Sequence, residues 1–482
     1  SSTTSLTNTG TIQGRGAFSL GTSTLTNTGT IFADGGLLNL TGNLVLTASS
    51  TLRFGIGGRE RGVSYDALDV SGSVAFGGTL QASHVNGFVP GGSEAFRLLR
   101  YGSRNGSSTF ASMNVPAGFG YGSYYGNGNY LLGIGSALTG VNEWINNNSG
   151  DWSTAINWSL GVAPNSSTQT VIIDRIGATP TVTVSTGNWT VGSLLSTDNL
   201  SVTGGTLTVA GLTRVTGALG ISGGTLTTQG ALDLNAVTLS GAGQFVAQGG
   251  GHIASYLQHS GTSTFAGAGL AFDSIDLRSG TVNFNAALSL PSSLLRVAGY
   301  TANLNADQGQ TLIQIASGTL NLNLASITSD IEFSNGTLNV ANATGTSGKL
   351  TWTGGNIGGG GTLTVGGVLD IAGGANSFGL DNTTLIHTNA SGLSRIEKTG
   401  GYLYLNGANA RLRNAAGASL TIDTSGGSFY TYYFSGTGGT LQNQGTLNKV
   451  GDGEFHMYNP THLEQAGTLN IQRGSIVLDG SS

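Results

Sequence analysis

Glycine recurs through the middle of this chain at a near-constant step. Gly205, Gly224, Gly243, Gly261, Gly280, Gly299, Gly318, Gly336, Gly355 and Gly374 are separated by steps of 19, 19, 18, 19, 19, 19, 18, 19 and 19. Self-similarity at a fixed period of about 20 residues marks a stack of repeats, each able to bury its apolar face only against its neighbours. The ladder therefore constrains architecture first. It says little about chemistry.

Aligning the ladder produces columns. Directly after the glycine stand Thr206, Thr225, Thr281, Thr319 and Thr337. The next position holds Leu207, Leu226, Phe245, Val282, Leu320, Leu338 and Ile357, and the one after it Thr208, Thr227, Asn283, Asn321 and Asn339. Polar–apolar–polar alternation is the period of a strand with its central side chain inward. Helical periodicity is missing almost everywhere. The expected fold is all-β, a parallel β-helix (solenoid) with about 19 residues and three short strands per coil. Leu should then stack on Leu inside, and Thr or Asn on Thr or Asn outside, each pair contributing a fraction of a kcal/mol.

Composition narrows the class. The chain has 482 residues, 83 of them glycine, and only 9% are charged. The glycines follow no three-residue period, so a collagen helix is excluded, and apolar residues recurring in register exclude simple disorder. Net charge is −5, with three lysines against 15 arginines, and no basic stripe is available for nucleic acid. Cysteine is absent, which removes disulfides and thiolate metal sites. No stretch approaches the roughly 20 apolar residues of a membrane-spanning helix. A neutral Ser/Thr/Asn/Gly surface of this kind suits the exterior of a bacterial cell.

The N-terminal stretch carries the same period in another wording. Leu6-Thr-Asn-Thr-Gly-Thr-Ile12 returns one period later as Leu25-Thr-Asn-Thr-Gly-Thr-Ile31, and Leu44 continues the step. Leu441-Gln-Asn-Gln-Gly-Thr-Leu447 and Leu463-Glu-Gln-Ala-Gly-Thr-Leu469 are variants 22 apart. In these phrases the chain resembles the filamentous-haemagglutinin-like and autotransporter-passenger β-helices of bacterial surfaces. The resemblance covers the fold over most of the chain. It implies an extracellular, non-enzymatic building unit of a surface filament, sheath or giant adhesin.

Two stretches depart from the rhythm and divide the chain. By resemblance to the closing and opening segments of large autotransporter-type surface proteins, residues 1–56 read as coils ending one unit, and 57–140 as a β-rich, non-solenoid closing or docking segment. Residues 141–199 read as a cap that opens the next unit, and 200–482 as the main solenoid. Within 15 residues of the cap stand Trp144, Trp152 and Trp158, three of the five tryptophans, whose spacing implies a packed cluster. A closing segment ahead of an opening one implies one period of a tandem array or head-to-tail polymer. Self-association through strand edges is the expected partner contact.

Sites for chemistry are sparse. Coil-stacked neighbours lie one period apart, and no two of the 23 acidic residues have that separation. Asp273 and Asp276 therefore lack the paired carboxylate that acid–base cleavage of a polysaccharide needs. Asp233 lies one period before His252, which suggests a stacked surface pair, with His259 nearby and no third metal ligand. No catalytic residue, cofactor site or metal site is assigned. The densest aromatic run is Phe429-Tyr-Thr-Tyr-Tyr-Phe434, in which Tyr430, Tyr432 and Phe434 share a face, with Tyr402 and Tyr404 earlier. These rings either fill a wider coil or form a contact surface for a partner or a cell-surface glycan. Tyr121, Tyr124, Tyr125 and Tyr130 pose the same choice.

Overall fold

The computed structural model describes residues 5–479 apart from 92–93, 136–137, 139, 176, 374–376, 399–400 and 434–436. It is all-β with long parallel sheets, an arrangement consistent with a β-solenoid. Among the described residues the only helical element is a three-residue 3-10 turn, Ala155–Asn157, and no helix is long and apolar enough to cross a membrane. The chain divides into two compact units, Ser1–Leu219 with Leu226–Leu234, and Gly220–Thr225 with Asn235–Ser482.

In the first unit, the repeated N-terminal phrase stacks on itself. Leu6 is paired in parallel with Leu25, and Leu25 with Leu44, while Ile12 pairs with Ile31. Leu25, Leu44 and Ile31 are buried. Parallel pairing does not stop at residue 56, where the sequence pattern predicts the end of the coils. Ala67–Ala75 pairs in parallel with Leu37–Leu46, Thr79–His84 with Thr51–Ile56, and Ala95–Arg104 with Ala67–Ala75. The step has grown, with Leu38 opposite Leu68 and Leu68 opposite Leu99. Inserted loops such as 57–66 lengthen the coil and so erase the 19-residue signal without disturbing the register.

Asp66 fastens that loop. Its carboxylate accepts the N–H groups of Gly35 at 2.9 Å, Gly36 at 3.0 Å and Gly55 at 2.6 Å. The parallel run then reverses. Asn129–Ile134 pairs antiparallel with Ala95–Arg104, and Tyr121–Tyr125 pairs antiparallel with it in turn. This hairpin occupies the strand edge of Ala95–Arg104 that a further coil would otherwise use.

In the second unit, one sheet carries the glycine-ladder strands. Thr262, Thr281, Thr301, Thr319 and Thr337 form an unbroken outward column. The next column, Val282, Ala302, Leu320 and Leu338, points inward and is fully buried. Beside it the outward amides bond up the stack: Asn303 donates to Asn283 at 2.6 Å, Asn321 to Asn303 at 2.6 Å, and Asn339 to Asn321 at 2.8 Å. Leu207 and Leu226, which belong to the first unit, are equally buried.

The corner glycine has a steric reason. Gly336 has φ of +94°, and a Cβ there would sit 2.5 Å from the carbonyl oxygen of Gly318. The ladder ends sooner than the sequence implies. Asn356 is registered against Gly379, so Phe378, and not Gly374, succeeds Gly355; Gly374 itself lies outside the described residues. From here the coils widen. Phe378 pairs with Leu403, Tyr402 with Tyr430, and Phe429 with Phe455, at steps of 25, 28 and 26. Two further sheets run beside this one, nine-stranded from Leu294–Val297 to Thr468–Ile471, and seven-stranded from Ser326–Ile327 to His462–Gln465.

Candidate functional site

The wide coils bring aromatic residues to one outward face. Strand alternation sends Leu403, Leu405, Phe429, Thr431, Phe455 and Met457 inward, all buried. Their neighbours must then point out. Tyr402 faces Tyr430, which faces His456, and Tyr404 faces Tyr432. Tyr458 follows His456 by two positions and continues the second column, its N–H bonded to the Thr431 carbonyl at 3.2 Å. The result is an array two rings wide and three strands deep.

Ring centroids in the array lie at contact distances. Tyr402 is 6.0 Å from Tyr430 and 5.6 Å from Tyr432, and Tyr404 is 6.3 Å from Tyr432. Tyr432 is 5.3 Å from Tyr458, His456 stacks on Tyr458 at 4.2 Å, and Tyr433 joins the edge 5.4 Å from Tyr432. Tyr402 and Tyr432 are 37% and 38% exposed, so the rings lie over the core and do not fill it. Below them Phe429 and Phe455 already stack at 5.3 Å.

Of the two readings open in the sequence, core filling and a contact surface, Tyr402, Tyr404, Tyr430 and Tyr432 take the outward place. Phe434 lies outside the described residues. A fixed 19-residue step does not reach His456 and Tyr458. The available signal was the repeated triplet Tyr402-Leu-Tyr404, Tyr430-Thr-Tyr432 and His456-Met-Tyr458, at steps of 28 and 26.

Polar groups border the array. The His456 ring contacts Glu454 Oε1 at 2.7 Å through Nδ1 and Asp479 Oδ1 at 2.8 Å through Nε2. On the opposite side Asn406 donates to Asp381 at 2.6 Å. Desolvation first, and then the nearby Tyr402, Tyr430, Asp479 and Glu454, push the Tyr458 hydroxyl above its ordinary pKa.

The other singled-out aromatic residues are buried or packed on the core. Trp144, Trp152 and Trp158 are buried, with Trp158 packed edge to face on Trp144 and Trp152 at 5.1 Å and 4.9 Å between centroids. The Trp158 indole donates to the Trp152 carbonyl at 2.7 Å and the Trp152 indole to Pro164 at 3.1 Å. Of the second tyrosine group, Tyr130 is buried and Tyr121, Tyr124 and Tyr125 pack against the core of the first unit.

The same unit holds a buried charge cluster. Arg97 and Arg100 reach the two oxygens of Asp174 at 2.7 and 2.6 Å, and Thr197 also donates to that carboxylate. Burial pushes the Asp174 carboxyl up, but the two guanidinium groups outweigh it and hold it below its usual pKa. Neighbouring Asp198 is 3% exposed, and burial pushes its carboxyl up to about 6 despite the Arg175 N–H that donates to it at 2.7 Å. Such a network joins the segment around 95–104 to that around 174–198. Its groups are committed to one another.

The acids and histidines weighed for catalysis are dispersed. Asp233 bonds Arg214 at 3.1 Å, and His252 reaches Asp273 at 3.0 Å. Asp276 accepts from Arg278 at 2.9 Å. A cavity of about 280 Å³ opens beside it, lined by Leu277, Pro291, Leu295, Arg296 and Tyr300. Among the described residues no group of three or more His, Asp or Glu is placed to hold a metal ion. No protein-family model, curated protein or solved structure matches the chain.

Proposed function

We propose that this chain is a β-solenoid serving as the structural repeat unit of a bacterial surface filament, sheath or large adhesin, outside the cell and without catalytic activity. The observation that carries the reading is the side-chain register itself. Thr over Thr, Leu over Leu and Asn over Asn, strand after strand, make a stiff stack whose outer face is neutral and whose inner face is dry. Stacking of this kind is open-ended, because each coil presents backbone donors and acceptors to the next. End-to-end pairing of strand edges between units follows the same hydrogen-bond geometry.

Electron microscopy of the purified protein tests this directly. Long uniform fibres are expected, with a strand repeat of about 4.8 Å along the axis in fibre diffraction. Particles that remain dispersed and short at every concentration, or depolymerisation of a polysaccharide by the purified chain, would overturn it.

A further inference from the structure

We propose that the outward aromatic array of Tyr402, Tyr404, Tyr430, Tyr432, His456 and Tyr458 is a binding surface for a neutral polysaccharide of β-linked hexoses. This goes beyond a structural role and does not depend on filament formation. The core beneath the array is complete, so these rings answer no packing demand. In the 281–340 stretch of the same sheet the outward positions carry Thr and Asn. Here large rings stand in two adjacent columns, Tyr402 and Tyr432 near two-fifths exposed and the others half-buried, at a cost in exposed apolar surface that a purely mechanical wall does not require.

The chemistry selects the ligand. A β-linked hexose chain presents flat faces of C–H bonds, which lie against aromatic rings, and an equatorial rim of hydroxyls, which need donors and acceptors. The array supplies both. Ring centroids lie 6.0 and 6.3 Å apart across strands and 5.9 Å apart along one, giving an extended platform and not a single socket. Tyrosine offers rigid amphipathic area at low entropic cost. A hydrated sugar also offers hydrogen-bonding hydroxyls at the rim of the rings, which a dry apolar contact does not.

Charge then discriminates among glycans. Glu454 and Asp479 flank His456, and Asp381 lies at the other border with Asn406. Carboxylates accept from sugar hydroxyls and repel uronates, sulfated glycans and nucleic acids.

Calorimetric titration with cellohexaose, laminarihexaose and hexagalacturonate tests the proposal. The wild-type chain, Tyr402→Ala/Tyr432→Ala and Tyr432→Phe are measured together with thermal unfolding and sedimentation. A neutral hexaose should bind, Tyr432→Phe should retain that binding, and the double alanine variant should weaken it about tenfold or more with its unfolding transition in place. Three results would overturn it. They are no binding of either neutral hexaose, equal or tighter binding of hexagalacturonate, and a sedimenting dimer that disappears in the double variant. Filament images of the double variant keep the two readings distinct, since loss of the array leaves strand-edge assembly intact.

Discussion

The Asn–Thr ladder of 281–340 and the tyrosine array of 402–458 occupy one sheet and, in part, one column. Thr281, Thr301, Thr319 and Thr337 lead through Asn356 and Gly379 to Tyr404 and Tyr432. Below both, the inward residues are buried and almost all aliphatic or aromatic. Above, they part. In the ladder each amide bonds to the amide of the next strand, so the outer face is satisfied by itself. In the array the rings touch one another, yet Tyr402 and Tyr432 stay partly exposed. Coil length changes with this, from steps of 18–20 to steps of 25–28. Register and coil length are thus independent. Loops inserted at corners vary the length, while strand pairing preserves the columns.

If the inner faces are equivalent, truncating them should cost the same. Leu320→Ala under the ladder and Leu403→Ala under the array are each expected to destabilise by about 2–5 kcal/mol in denaturant unfolding. A cost at Leu403 near zero would mean that the array stands on a loose core. The outer faces should respond differently. Asn321→Ala removes the amide bonds to Asn303 and from Asn339, an expected loss of about 0.5–1.5 kcal/mol read by the same method. Tyr430→Ala should stay within about 0.5 kcal/mol. A larger loss at Tyr430 than at Asn321 would make the rings structural.

Acid gives the smallest contrast. The Thr and Asn columns of the ladder hold no acidic side chain, whereas the first unit holds Asp198. Between the ordinary value of 3.8 and about 6 its carboxyl keeps a proton in the folded state that the unfolded chain has released. Its contribution to stability is therefore full below that window and lost as pH rises through about 6. Asp198→Asn should remove this slope, followed by the fluorescence of the buried Trp144, Trp152 and Trp158. Amide exchange in the ladder, corrected for intrinsic rate, should not change across the same range.

How much of this was readable in the sequence follows from coil length. Where corners are tight, as from Gly280 to Gly355, the period is plain and the columns are correct to the residue, except at Gly299, which stands one position ahead of its column because Thr281 is registered with Thr301. Leu6, Leu25 and Leu44 are legible for the same reason. Where loops enter, as between Leu38 and Leu68 or between Tyr402 and Tyr430, a fixed step cannot find the partner. Residues 57–114 thus look irregular although their strands still pair in parallel. The array is half visible: the shared face of Tyr430 and Tyr432 follows from alternation alone. That it is a patch, and that His456 and Tyr458 complete it, requires knowing the length of each coil.

A cysteine-free chain permits a direct test of the stacking by paired substitutions. Cross-linked Cα atoms must lie within about 4.4–6.8 Å, the separation of adjacent strands but not of alternate ones. Under mild oxidation Thr301→Cys with Thr319→Cys, and Tyr404→Cys with Tyr432→Cys, should each form an intramolecular disulfide. Thr301→Cys with Thr337→Cys, and Tyr404→Cys with Asp423→Cys at the naive 19-residue step, should remain reduced. The opposite pattern in either pair would contradict the register that stacks these strands.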